Sequence, residues 1–146
     1  MKQWMMVVMM GLLAAGAQAK CPGASKTVFA CQTTKGKQVE VCDAGKTIGY
    51  SFGKPGAMPE LALNVPRSQA STSQWQGVGR YMSYAVDIPN GKTVYSVFWG
   101  VDRLSEEHDI EAGVNVLING KQAATVMCRP DTVQQELEGI DLKPSE

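Results

Sequence analysis

Four cysteines, one histidine and one aromatic-rich polar stretch are the residues whose type and spacing could do chemistry here. Cys21, Cys31, Cys42 and Cys128 are 10, 11 and 86 positions apart. These gaps fit no zinc-ligand pattern, whereas an even number of cysteines in an exported chain reads as two disulfides, with three connectivities open. The single histidine lies in Ser105-Glu106-Glu107-His108-Asp109-Ile110-Glu111. A Ser–His–Asp triad needs a serine in a setting such as G-x-S-x-G, and the sequence has none. The acidic run also lacks the Asp-x-Asp-x-Asp-Gly spacing of a calcium loop, so it reads as a solvated connection between strands. Gly77-Val78-Gly79 is not followed by the helix a dinucleotide site would use. Glu60, Asp87, Asp102 and Glu111 include no aromatic-flanked pair for glycoside hydrolysis. The expectation is a protein without catalytic residues, cofactor or metal.

The informative stretch is Pro66–Tyr84, PRSQASTSQWQGVGRYMSY. It reads as a polar loop, too long for a tight turn, running into a strand. Long loops on a rigid β scaffold are where recognition concentrates, and Trp, Tyr and Arg carry most of the energy at interfaces. Ser71, Ser73, Trp75, Arg80 and Tyr81 are therefore the expected binding residues. Tyr84 shares a face with Met82, Val86 and Ile88 and reads as core. Trp99 also reads as core.

The elements that must position these residues begin after residue 19. Residues 1–19, MKQWMMVVMMGLLAAGAQA, place Lys2 before an apolar run and close on Ala17-Gln18-Ala19. This is the pattern of a secretory signal peptide cleaved after Ala19. The run is about a dozen residues, where a membrane span needs roughly 20. Lys20 ahead of Cys21 does not fit a lipoprotein cleavage site. A periplasmic or secreted location follows, and with it an oxidising compartment. The charge balance, 14 basic against 14 acidic side chains, disfavours an extended phosphate-binding surface and hence nucleic acid.

Fifteen Gly and seven Pro indicate many turns and short strands. Eight strands are expected: 27–34, 38–43, 47–52, 60–65, 79–88, 93–99, 110–118 and 122–128. Lys35-Gly36-Lys37, Pro89-Asn90-Gly91-Lys92 and Asn119-Gly120-Lys121 make three hairpin turns. Residues 20–130 thus form one all-β domain, an antiparallel meander closing as a small barrel or a flattened sandwich. Residues 131–146 are expected to be a tail or a short helix over Val133–Ile140. Strand parity places Phe29 and Cys31 with Val39 and Val41, and Cys42 on the opposite face. In the last hairpin Val114, Val116 and Ile118 match Ala124, Val126 and Cys128. That favours Cys31–Cys128 with Cys21–Cys42, and leaves Cys31–Cys42 across the first hairpin as the rival.

Phe29-Ala30-Cys31, Gly36-Lys37-Gln38-Val39-Glu40-Val41 and a late strand ending in Cys128 resemble the periplasmic lysozyme inhibitors of the MliC/PliC type. In that family a Ser/Gly-rich loop followed by Tyr enters the lysozyme cleft, supported by a lysine on a neighbouring loop. The matching segment is Ser71-Thr72-Ser73-Gln74-Trp75-Gln76-Gly77 ahead of Tyr81; it departs from the family's Ser-x-Ser-Gly-x-x-Tyr order, and Gly91-Lys92 reverses the expected Lys-Gly. The resemblance implies a protein partner and a role as inhibitor of, or immunity protein against, an envelope-directed hydrolase such as a lysozyme. The alternatives are a carrier for a small apolar ligand and a structural envelope protein.

Overall fold

A computed structural model describes residues 21–146, so the expected signal segment lies outside the described residues. Eleven strands pair into two sheets: β1 (Lys26–Gln32), β2 (Gln38–Asp43), β3 (Thr47–Gly53), β4 (Leu61–Pro66), β5 (Ser71–Gln74), β6 (Tyr81–Asn90), β7 (Thr93–Asp102), β8 (Ile110–Ile118), β9 (Lys121–Met127), β10 (Gln134–Gln135) and β11 (Lys143–Pro144). One sheet runs β10-β1-β2-β3-β4 and the other β11-β5-β6-β7-β8-β9. All pairings are antiparallel except that of β11 with β5. The two sheets form a sandwich; neither closes into a barrel.

Alternation dictates which faces meet. Phe29, Val39, Val41 and Ile48 of the first sheet and Val86, Ile88, Val97 and Val114 of the second are fully buried. Each such side chain contributes about 1.5–3 kcal/mol relative to exposure. Tyr50 of β3 stacks on Tyr95 of β7 at 5.1 Å between ring centroids, and Tyr84 stacks on Trp99 at 6.2 Å. Asn119 (φ 52°) and Gly120 (φ 75°) turn β8 into β9 with both central residues left-handed. At the other Asn-Gly, Asn90 stays in β6 opposite Thr93. The turn is Gly91-Lys92, and Gly91 alone of these two has positive φ, 60°.

The disulfides are Cys21–Cys42 and Cys31–Cys128. The second joins β1 to the end of β9, beside a Thr33–Cys128 bridge pair. The parity reading survives a bulge between Val116 and Leu117, because the bulge falls toward the turn and away from Cys128. On the turn side of that bulge Ile118 is 46% exposed, not core-facing as expected.

The C-terminal segment is part of the sandwich. The short helix offered over Val133–Ile140 does not form: Val133, Leu137 and Ile140, although at helical spacing, pack on the core along a non-helical path. The Glu136 N–H donates to Val28 O (2.8 Å), so the backbone bonds to the β1 edge. Arg67 fastens the segment: its Nε donates to Asp141 O (2.9 Å) and its Nη1 to Asp43 Oδ1 (2.7 Å). Bonds to Arg67 and the Gly45 N–H outweigh desolvation and hold the Asp43 carboxyl below its usual range.

Candidate functional site

At one end of the six-stranded sheet, the connection from β5 to β6 (residues 75–80) meets that from β7 to β8 (residues 103–109). Their alignment follows from register, since Tyr81 pairs with Asp102. The Arg103 N–H donates to Arg80 O at 2.8 Å. Trp75 is partly buried against the core, and its Nε1 donates to Val78 O (3.0 Å). The Arg103 guanidinium lies 4.6 Å from the centroid of the Trp75 ring, a cation–π contact between the two connections.

Arg80 grips Asp102: Nε lies 3.0 Å from each carboxylate oxygen and Nη2 is 2.7 Å from Oδ2. Asp102 Oδ1 also accepts the Leu104 N–H (3.0 Å). The Arg80 bond first, then the Leu104 N–H, holds this carboxyl below its usual range. On the outer face Tyr81 Oη donates to Glu111 Oε2 (2.9 Å). Desolvation first, with the Glu111 bond and charge adding to it, pushes the phenol up to about 12. The same two connections carry Val78, 81% exposed, and Leu104, 71% exposed.

Three of the five expected binding residues, Trp75, Arg80 and Tyr81, therefore come together. The two serines do not sit on a loop. They belong to β5, and the side chain of Thr72 between them turns inward. Ser71 Oγ lies 3.0 Å from Ser145 Oγ, which donates to Asp87 Oδ2 (2.6 Å). Ser73 is exposed on the outer face, opposite Ala85. A four-residue polar strand, STSQ, carries no alternating apolar signal, so it read as loop. Asp102, Arg103, Leu104 and Glu111 were not among the expected site residues. Two of them follow a strand end and gain their role only from the register of β6 on β7.

Comparison with family models, curated proteins and solved structures finds no match. His108 adds little to the site: φ is 48°, its Nε2 lies 3.1 Å from Arg103 O, and its backbone N–H donates to Ser105 Oγ (3.2 Å). These are contacts of a turn. The end thus presents the Trp75 ring, the Tyr81 phenol and the exposed side chains of Val78 and Leu104 beside backbone and ion-pair contacts. The two disulfides are the covalent chemistry of an oxidising compartment. Among the described residues, no helix is long and apolar enough to cross a membrane.

Proposed function

We propose that this is an exported, non-catalytic binding protein that inhibits, or confers immunity to, an envelope-directed hydrolase, with a lysozyme as the first candidate. The docking surface is the sandwich end carrying Trp75, Val78, Arg80, Tyr81 and Leu104. The observation that supports this most is the combination of order and exposure. Arg103 on Trp75 and Arg80 on Asp102 fasten the two connections in advance, and Tyr81 on Glu111 fixes the adjoining strand face, while Val78 and Leu104 remain in water. Preordering lowers the entropic cost of binding, and exposed apolar side chains rimmed by polar groups mark interaction surfaces. A carrier would need room between the sheets, and that space is filled by Phe29, Ile48, Val86 and Ile88.

The test is calorimetry of the oxidised protein, lacking residues 1–19, against lysozymes of the c, g and i types, with a cell-wall turbidity assay alongside. Sub-micromolar binding with loss of lysis is expected for one of them. A Trp75→Ala, Leu104→Asp double variant should lose it while keeping both disulfides. Silence on all three types removes lysozyme from the proposal. Unchanged binding by the double variant moves the site elsewhere.

A further inference from the structure

The outer face of the five-stranded sheet buries a carboxylate without a donor. Glu40 and Cys42 of β2 point away from the core shared by Val39 and Val41, yet Glu40 is only 5% exposed. Its neighbours across the strands explain the space around it. Ala30 and Ser51 flank Glu40, Ala62 lies beyond Ser51, and Gly49 stands beside Cys42 with Asn64 beyond it. Small side chains leave a hollow of about 340 Å³ in the sheet face, lined by Glu40, Gly49, Ser51, Ala62, Leu63 and Asn64. The Cys21–Cys42 disulfide then draws Pro22 and Ser25 to its rim.

Glu40 Oε2 is buried and has no hydrogen-bond partner. Oε1 lies 3.3 Å from Cys42 Sγ, a disulfide sulfur with no hydrogen to give. None of the residues lining the hollow is Lys or Arg. Burial accordingly pushes the Glu40 carboxyl above its usual range. A buried acceptor left without a donor is costly and rare in native proteins, so the donor is to be sought in something that enters. Cys21, Glu40 and Cys42 lie within metal-ligand reach of one another, but both sulfurs are spent in the disulfide and supply no thiolate. One carboxylate among apolar walls suits an organic cation better than a metal ion.

We propose that this hollow binds a primary ammonium group on a short apolar stem, paired with the Glu40 carboxylate. The stem lies over Gly49 and Ala62, and the Ser51 hydroxyl and Asn64 carbonyl are at hand for the remaining N–H groups. The site lies on the sheet opposite the one that carries the Trp75–Tyr81 end and does not depend on the function proposed for that end.

The experiment is an amide-resolved NMR titration of the oxidised protein with n-butylammonium, repeated at rising pH up to about 8, because burial raises the carboxyl and a higher pH favours its ionised form. Saturable shifts at Gly49, Ser51, Ala62 and Asn64 are expected, with n-butanol and butyrate failing to produce them. Glu40→Gln should weaken binding at least tenfold. A Cβ on Gly49 would meet only ordinary contacts, 3.7 Å and beyond, and its φ is not left-handed. Gly49→Leu should therefore fill the hollow, keep the carboxylate and abolish binding. Nα-acetyl-lysine methylamide distinguishes the source: the same shifts assign a lysine side chain of another polypeptide, and its exclusion assigns a free amine. Absence of saturable shifts with butylammonium, equal binding of butanol, or undiminished binding by Glu40→Gln or Gly49→Leu overturns the proposal.

Discussion

The Tyr81 ring occupies the space that a β-carbon on Gly100 would need. A Cβ built on Gly100 falls 2.7 Å from Tyr81 Cζ and 2.8 Å from Cε1. Gly100 belongs to β7 and is not in the left-handed region, so its lack of a side chain serves the phenol, not the backbone. The glycine lets the ring lie across the strand and reach Glu111. Gly100→Ala should displace the ring, break the bond to Glu111 and cost about 1 kcal/mol in urea unfolding. The sharper readout is ultraviolet titration, with Tyr81→Phe to assign the group. Its ionisation, now at about 12, should fall toward that of a free phenol. An unchanged titration in Gly100→Ala would refute the packing argument.

The two disulfides should be unequal. Cys31–Cys128 spans 97 residues and is buried, whereas Cys21–Cys42 spans 21 and is partly exposed. By the loop-entropy relation, replacing the first pair by alanine costs about 4–5 kcal/mol and the second about 3. Exchange rates follow access, so mild dithiothreitol should open Cys21–Cys42 first. Mass spectrometry after timed alkylation reads the order directly. Prior reduction of Cys31–Cys128 would mean that the β1–β9 corner opens more readily than its burial implies.

Leu137 is fully buried although it follows the last long strand by ten residues. With β10 on the edge of β1 and β11 on the edge of β5, the C-terminal segment covers one edge of each sheet. Leu137→Ala should cost about 2–5 kcal/mol, as for other buried leucines. Removal of residues 133–146 should also produce concentration-dependent aggregation, because it bares two strand edges. Light scattering of the truncated chain tests this, and a monomeric, stable product would show the segment to be dispensable.

The eight long strands were legible because alternation and turn chemistry are local signals; parity favoured Cys31–Cys128, Cys21–Cys42 followed only by elimination, and the rival Cys31–Cys42 stayed open in the sequence. Three short strands were not legible. β5 is polar on both faces, and β10 and β11 are two residues each. They exist because neighbouring edges accept their backbone. Val133, Leu137 and Ile140 illustrate the ambiguity: spacing reports that three side chains are buried, not by what backbone path. The site divides the same way. Trp75, Arg80 and Tyr81 stand out by residue type, whereas Arg103 over Trp75 and Tyr81 over Gly100 depend on strand register. The hollow around Glu40 was invisible, because a lone glutamate in a strand looks solvated until the disulfide-held segment is seen to pass over it.

Glu40 and Asp102 should drive stability in opposite directions with pH. Burial raises the Glu40 carboxyl, so the folded chain keeps a proton that the unfolded chain has released. Stability therefore falls as pH climbs from the ordinary glutamate range through the raised value. Asp102 is the reverse case. Arg80 and the Leu104 N–H favour its ionised form, so its contribution is present above the ordinary aspartate range and is lost as pH falls through the lowered value. Its exposure to solvent keeps that contribution small. Urea midpoints between about pH 3 and pH 8 for three chains separate the two effects. Glu40→Gln should flatten the decline on the alkaline side and gain about 1 kcal/mol where the wild-type carboxyl is ionised, since an amide buries no unpaired charge. Asp102→Asn should flatten only the acid limb and leave neutral stability nearly unchanged. A loss of neutral stability in Glu40→Gln would mean that the carboxylate has a bonding partner within the fold, and the hollow would then have no unmet charge to offer an ammonium group.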